Sequence, residues 1–546
     1  MKKDFLKELE KRPIVFDGAT GTMLQRLGLK AGGCPDELVL KEPEIVKKIH
    51  SAYKDAGADV VSTNTFGANR VKLREYGLES KVREINIQAA RLARQAVGDS
   101  VFVAGDMGPT GRFIEPVGEL PFDEAVEIFT EQAIALKDGG ADLIVIETMM
   151  DIREVKAALI AAKSTNLPVV ATMTFDETMR TVLGTSPEAF AVTAEGLGAD
   201  AVGANCSLGI EGIYKALLAM SRVSTIPLMA QPNAGIPVLK GADTVFPASP
   251  DDMAAYAQRL SQAGVRILGG CCGTTPEHIR KMAKAFKSEP VCENTHAAQF
   301  TKLSSRTRAV IFGGGLSPIV IGERINPTGR KALAEELKQG KTSMLRGEAR
   351  EQEAAGADAL DVNVGVPGMD EPPAMKRAIF AVNENSSLPV VIDSSRLTAI
   401  EEGLKAVDGK ALINSISGEE KKLKGILPLA KKYGAALLAL ALDDAGIPQT
   451  AEGRLKVAET ILKRCLDAGI RKEDILIDCL AMTVSAEPKS AVETLKAIRL
   501  IKEKLGLSTV LGVSNISFGL PCRETINSSF LSMAIGAGLD AAIINP

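Results

Sequence analysis

The chain has 546 residues, a formal net charge of −3, no Trp and eight cysteines. That length exceeds a single hydrophobic core, so two or more domains are expected. The near-neutral charge and sparse aromatics give no footing for nucleic acid or an anionic membrane surface. No apolar run is long enough to span a bilayer. The first residues, Met1-Lys2-Lys3-Asp4-Phe5-Leu6-Lys7, lack a signal-peptide core, so the chain reads as cytoplasmic. In that reducing compartment cysteines are buried small residues, metal ligands or nucleophiles rather than a disulfide framework. Cys465 sits in a helical pattern and reads as core; Cys34, Cys292, Cys479 and Cys522 have no partner at metal-like spacing.

One pattern punctuates the whole chain. An amphipathic stretch ends in Gly, an acidic residue follows, and a short apolar run begins, as in Gly57-Ala58-Asp59, Gly140-Ala141-Asp142, Gly198-Ala199-Asp200, Gly356-Ala357-Asp358 and Gly538-Leu539-Asp540. Gly ends a helix in a left-handed cap, and the apolar run is a strand buried on both faces. The strands predicted in the first half are Pro13–Phe16, Asp59–Thr63, Val101–Asp106, Asp142–Glu147, Pro168–Thr174, Asp200–Asn205, Ile226–Ala230 and Val265–Gly269. Those in the second half are Ile319–Glu323, Asp358–Asn363, Pro389–Ser394, Lys410–Ser415, Ala435–Leu440, Asp474–Asp478, Thr509–Val513 and Asp540–Asn545. Eight and eight, with helical patterns between, predict an α/β chain of two consecutive (β/α)8 barrels, residues 1–287 and 316–546. Two open doubly wound sheets are the weaker alternative, since neither half carries a Gly-rich phosphate fingerprint after its first strand. Residues 288–315, without a sustained apolar period and with His296, read as a linker. No eighth helix follows the last strand before Pro546, so the chain reads as the front of a longer protein or as a barrel closed unconventionally.

Barrel enzymes place their chemistry at the C-terminal ends of the strands. In the first half those ends are Asp17, Asn64, Asp106, Glu147, Thr174, Asn205-Cys206, Gln231 with Asn233, and Cys271-Cys272. The paired cysteines lie in Gly269-Gly270-Cys271-Cys272-Gly273-Thr274, where flanking glycines let the backbone bend so that both thiols turn to one target. With Cys206 they make a three-thiolate set that suits zinc and leaves one position open, the catalytic pattern. Asn233 is a weak candidate for that position. Three buried cysteines, or a closed structural zinc, remain the alternatives; the latter lacks a fourth ligand, because His278 reads as a surface or packing residue of the following helix. Asp17 and Glu147 offer carboxylates for an ammonium group, or equally caps for the helices that follow them.

Asp17-Gly18-Ala19-Thr20-Gly21-Thr22, Gly203-Ala204-Asn205-Cys206 and Gly269-Gly270-Cys271-Cys272-Gly273-Thr274-Thr275-Pro276-Glu277-His278 together resemble the homocysteine S-methyltransferase family. The resemblance implies that Cys206, Cys271 and Cys272 hold zinc, that the zinc holds the homocysteine sulfur, and that Asp17 with Gly18, and Glu147, contact the amino-acid end.

The second half ends its strands in Glu323 with Asn326, Asp361 with Asn363, Asp393-Ser394, Asn414-Ser415, Asp443-Asp444, Asp478, Ser514-Asn515 and Asn545. No Cys or His terminates a strand, so a metal is not expected there. A mouth rich in Asp and Asn suits a flat ring edged with alternating N–H and C=O groups; any one of these residues taken alone reads as a helix cap. Ile321-Gly322-Glu323-Arg324-Ile325-Asn326-Pro327, Leu360-Asp361-Val362-Asn363, Val391-Ile392-Asp393-Ser394 and Ile413-Asn414-Ser415 resemble the pterin-binding barrels of methyltetrahydrofolate:corrinoid methyltransferases and dihydropteroate synthases. The resemblance implies that Asp393, Asn414 and Asp478 hold the pterin edge. It puts Asn515 at the methyl-bearing nitrogen, with Glu323, Asn326, Asp361 and Asn363 lining the same mouth. The Lys and Ser-x-Arg features of the synthases have no counterpart at Ser514-Asn515.

The order of the two modules is similar to the N-terminal half of the cobalamin-dependent methionine synthase family. That resemblance implies methyl transfer from 5-methyltetrahydrofolate to cobalamin and from methylcobalamin to homocysteine. The chain has no Asp-x-His-x-x-Gly, so a cobalamin domain is expected downstream in cis or as a partner in trans. Two rivals stand: a homocysteine methyltransferase with another methyl donor, and a non-catalytic zinc-stabilised binding protein.

Overall fold

The structure, a computed structural model, describes residues 4–29, 32–240, 243–288 and 300–546. It divides into two units, residues 1–297 and 298–546.

The first unit holds β1 (Ile14–Val15), β2 (Val60–Ser62), β3 (Phe102–Met107), β4 (Leu143–Met149), β5 (Val169–Met173), β6 (Ala201–Asn205), β7 (Leu228–Gln231) and β8 (Val265–Leu268). They form one parallel sheet in the order β1-β8-β7-β6-β5-β4-β3-β2. A parallel bridge between Phe16 and Val60 brings the two ends of the order together. Inside the ring Phe16, Val60, Phe102, Val145, Val170 and Met229 are fully or almost fully buried and make one apolar cluster.

The Gly-x-Asp punctuation has a mechanical reason. The glycines Gly57, Gly140, Gly198, Gly356 and Gly538 all have left-handed φ, between 84° and 106°, and so end their helices. The aspartate two residues on then pins the neighbouring strand twice. Asp142 donates its backbone N–H to Val103 O at 2.8 Å and accepts Val103 N–H on its carboxylate at 2.9 Å. The same pair joins Asp59 to Val15, Asp200 to Val169, Asp358 to Val320 and Asp540 to Thr509. These joints set the register of neighbouring strands and hence the height at which each strand ends at the mouth.

The second unit begins with an antiparallel hairpin, β9 (Thr301–Ser304) and β10 (Ala309–Phe312). Then come β11 (Ile319–Ile325), β12 (Ala359–Asn363), β13 (Val390–Asp393), β14 (Leu412–Ser417), β15 (Ala436–Leu440), β16 (Ile475–Asp478), β17 (Ser508–Gly512) and β18 (Ala541–Ile544). These eight close into a barrel in sequence order.

The hairpin corrects the reading of residues 288–315 as a linker. Leu303, Val310 and Phe312 join Ile319, Ile321, Leu476 and Val510 in the barrel core. Ser304 exchanges hydrogen bonds with Lys410 at the start of β14, and Thr301 meets the Ser508 hydroxyl at the start of β17 at 2.8 Å. The hairpin therefore plugs the end of the barrel opposite the mouth. Its strands are four residues long, and three of the four residues of β9 are polar, too short and too mixed for periodicity to show. His296 and Cys292 lie outside the described residues. Among the described residues no helix is long and apolar enough to cross a membrane.

Candidate functional site

Alternation decides which side chains point into each barrel. In β3, Phe102 and Ala104 belong to the inner cluster, so Asp106 is the next inward residue. The same phase carries Ser62 above Val60, Glu147 above Val145 and Gln231 above Met229. In β6 it makes Asn205 inward and sends Cys206 outward. The backbone reverses that: Cys206 and Ser207 have left-handed φ of 61° and 46°, which turns the Cys206 sulfur back to the mouth. Cys271 and Cys272 follow β8 in a turn closed by Thr274 N–H to Cys271 O at 3.1 Å, with Gly273 at a φ of +81°. Thr274 Oγ1 donates to Cys271 O at 2.7 Å and accepts Ala19 N–H at 3.1 Å, Tyr53 donates to Ala19 O and lies 3.3 Å from Thr274 O, and Gly273 N–H donates to Thr22. The turn is thereby clamped to the loop after β1.

The three sulfurs of Cys206, Cys271 and Cys272 lie within 4.8 Å of one another, with Cys206 and Cys272 3.9 Å apart. A tetrahedral zinc with Zn–S bonds of about 2.3 Å needs sulfurs about 3.8 Å apart, so the set is shaped for that ion. Hydrogen bonds from the Cys271 and Cys272 thiols pull Cys206 well below the usual thiol range and push their own ionisation up. Asn205 is fixed by Thr148 N–H, Thr148 Oγ1 and Thr172 and turns its amide N–H toward Cys271 at 4.0 Å. His278 is not near the set. It is the third residue of the helix Pro276–Phe286, where Nδ1 meets Thr275 and Nε2 lies 3.1 Å from Ala248 O.

The cysteines open onto a cavity of about 620 Å³ lined also by Asp17, Asp36, Asp106 and Glu147. Burial raises all four acids: Asp17 to about 7, Asp36 to about 6, Glu147 to about 8, helped by Asp17 and Cys206, and Asp106 well above the carboxylate range. Asp17 accepts Ser62 N–H at 2.8 Å and the Ser62 hydroxyl at 3.0 Å.

In the second unit the inner phase runs from the apolar cluster into Glu323, Asp361, Asn363, Asp393, Asn414 and Asp478. Asn363 donates to Asp393 at 2.9 Å and Asn414 to Asp361 at 3.2 Å. Burial, reinforced by Asp393, pushes Asp361 well up; burial raises Asp393 and takes Asp478 to about 6. Ser514 donates to Glu323 at 2.7 Å. Asn326 and Asn515 lie beyond the strands. Asn326 accepts Thr328 N–H in its own turn, and Asn515 is exposed on the 3₁₀ turn Val513–Ser517. Cys479, next to Asp478, is fully buried, as strand alternation requires. Arg454 fixes the turn after β16 by donating to Cys479 O at 2.8 Å and Leu480 O at 3.1 Å.

Residues 14–286, half of the chain, match the homocysteine S-methyltransferase family profile. The chain belongs to the homocysteine S-methyltransferase family. Residues 322–545 of this family member match the pterin binding enzyme profile. Over 99% of its length it is 33% identical to the methionine synthase of Mycobacterium leprae and 34% identical to that of Mycobacterium tuberculosis. It covers 48% of each, so the chain spans about half the length of these curated relatives. Among solved structures, the metallated homocysteine methyltransferase MmuM from Escherichia coli aligns at a TM-score of 0.45 and 24% identity, covering 51% of this chain and 98% of that one. Xanthomonas albilineans dihydropteroate synthase aligns at 0.35 and 17%, covering 45% and 92%.

In this family member the structure brings Cys206, Cys271, Cys272, Asp17, Gly18 and Glu147 to one cavity. It brings Glu323, Asp361, Asn363, Asp393, Asn414 and Asp478 to the inside of the second barrel. At the first cavity Asp36 and Ser62 were not named from sequence, and Asp106 and Gln231 were named only as strand ends, with no role. The signal for Ser62, Asp106 and Gln231 is the inward phase of their strands. Asp36 is on a loop and carries no such mark.

Proposed function

We propose that the first unit binds homocysteine through zinc held by Cys206, Cys271 and Cys272, for methylation to methionine by methylcobalamin. We infer also that the second unit binds 5-methyltetrahydrofolate and delivers its methyl group to cob(I)alamin. The observation that carries the reading is the convergence of three sulfurs, spaced for tetrahedral zinc, on a cavity walled by carboxylates. Zinc in that place supplies a Lewis acid that keeps the substrate thiol ionised at neutral pH. The chain's own residues do the rest. Asn205 and the Thr274 clamp hold the cysteines in place, and Asp17 and Glu147 face the substrate's ammonium group. Burial raises the pKa of both acids, and a cationic guest reverses that shift by favouring the carboxylates. In the transfer the sulfur gains the C–S bond, and the electron pair of the broken bond stays with the methyl donor.

In the second unit Asp393, Asn414 and Asp478 offer acceptors and a donor to a pterin edge. Asn515, exposed at the mouth, faces the methyl-bearing nitrogen, and Glu323, Asn326, Asp361 and Asn363 line the approach. The cobalamin-binding domain is in cis or in trans. Three free thiols so close together fit the cytoplasm, since an oxidising compartment would pair them.

Methyl transfer to homocysteine from added methylcobalamin, and from 5-methyltetrahydrofolate to added cob(I)alamin, tests the reading. Both reactions are expected, and a chelator should abolish the first while sparing the second. Homocysteine methylation retained by a Cys271→Ala protein together with its zinc would contradict it.

A further inference from the structure

We propose that Asp106 accepts the substrate's α-ammonium group and selects thiols that carry one; the proposal rests on the homocysteine reading above. Asp106 is the inward residue near the mouth end of β3, 6% exposed, and lines the same cavity as the cysteines. Its backbone is held from three sides. Its N–H donates to Thr63 Oγ1 at 2.9 Å, and its C=O accepts Thr65 Oγ1 at 2.7 Å and Gln132 Nε2 at 3.4 Å. Its carboxylate is treated differently: Oδ1 is buried and has no hydrogen-bond partner.

The other acids of the cavity are each supplied with a donor. Ser62 serves both oxygens of Asp17, Gly67 N–H serves Asp36 at 3.0 Å, and Gln231 serves Glu147. Among the described residues no protein cation makes up the difference at Asp106: Lys72, the basic side chain among those lining the cavity, faces Glu75 at 3.3 Å. A buried acceptor without a partner calls for an explanation. Here the explanation is a ligand cation. Glu147, Asp17 and Asp36 all add negative potential at Asp106 and, with burial, hold its proton on. An ammonium group entering among these carboxylates supplies both the missing donors and the missing charge. A thiol without the ammonium group leaves Oδ1 as it stands.

The test uses the full chain loaded with zinc and two thiols differing only in that group, homocysteine and 4-mercaptobutyrate, with affinities read by calorimetry. Asp106→Asn is expected to weaken homocysteine about tenfold or more, the loss of a charged acceptor, and to leave 4-mercaptobutyrate within about twofold. Asp106→Ser, which removes the carboxylate without adding bulk, is expected to give the same split and serves if the Asn variant does not fold. An equal loss for both thiols, or unchanged homocysteine affinity, overturns the proposal. A wild-type protein that binds neither thiol overturns the homocysteine reading beneath it.

Discussion

Gly270→Ala tests how the cysteine turn is held. The φ of Gly270 is outside the left-handed region, so the cost is steric. A Cβ there would sit 2.5 Å from Thr274 Oγ1, 2.7 Å from its Cγ2 and 2.8 Å from its Cβ. Thr274 is fully buried and has nowhere to retreat without giving up its hydrogen bonds to Cys271 O and Ala19 N. Two neutral hydrogen bonds at about 1 kcal/mol each, plus about 1–3 kcal/mol of overpacking, put the whole cost at about 3–5 kcal/mol. If as little as about 1.4 kcal/mol of that falls on the holo turn, zinc affinity drops tenfold. The assay is competition with a colorimetric zinc chelator, run beside thermal unfolding. Gly21→Ala is the control, because nothing lies within 4 Å of its Cβ. Gly270→Ala with wild-type zinc affinity and an unchanged midpoint would refute the clamp, as would an equal loss in Gly21→Ala.

Three further outcomes are expected. Asp393→Asn should weaken 5-methyltetrahydrofolate binding by about 1.5–3 kcal/mol, the loss of a charged acceptor; a fluorescence titration showing no change would exclude Asp393 from the pterin edge. Glu154 is buried against Thr110, which donates to it from N–H at 2.8 Å, and burial takes its ionisation up to about 7. Because the folded-state value is raised, its stabilising contribution is complete below about 4.5 and is lost as pH climbs through about 7. Glu154→Gln should therefore stabilise the first unit at pH 8 by up to about 3 kcal/mol, with little gain at pH 4.5, as read by urea unfolding. Phe312→Ala should cost the second unit about 3–5 kcal/mol, shifting its unfolding transition and leaving that of the first unit in place.

The strand ends were legible because a barrel strand is short, apolar and bounded by turn residues, and because Gly-x-Asp marks where five of them begin. Strand phase was equally legible in principle: Phe102, Ala104 and Asp106 share one face in any extended segment. What sequence did not carry is the left-handed backbone at Cys206, a conformation uncommon for a residue with a Cβ that no neighbouring glycine announces. Nor did it carry the clamp from Thr274 and Tyr53 to the loop after β1, whose partners are more than two hundred residues apart in part. The hairpin at residues 301–312 escaped because polar Lys302 and Ser304 are buried there by contacts with the barrel's far end, which no local pattern encodes.

Zinc X-ray absorption on the loaded protein, with and without homocysteine, is the most direct test of the three-thiolate site with an open position. Three sulfur neighbours at about 2.3 Å and one nitrogen or oxygen neighbour at about 2.0–2.2 Å are expected in the free protein. Four sulfur neighbours are expected once homocysteine is added. A spectrum that does not change on adding homocysteine, or a free protein already surrounded by four sulfurs, would contradict the open three-thiolate site.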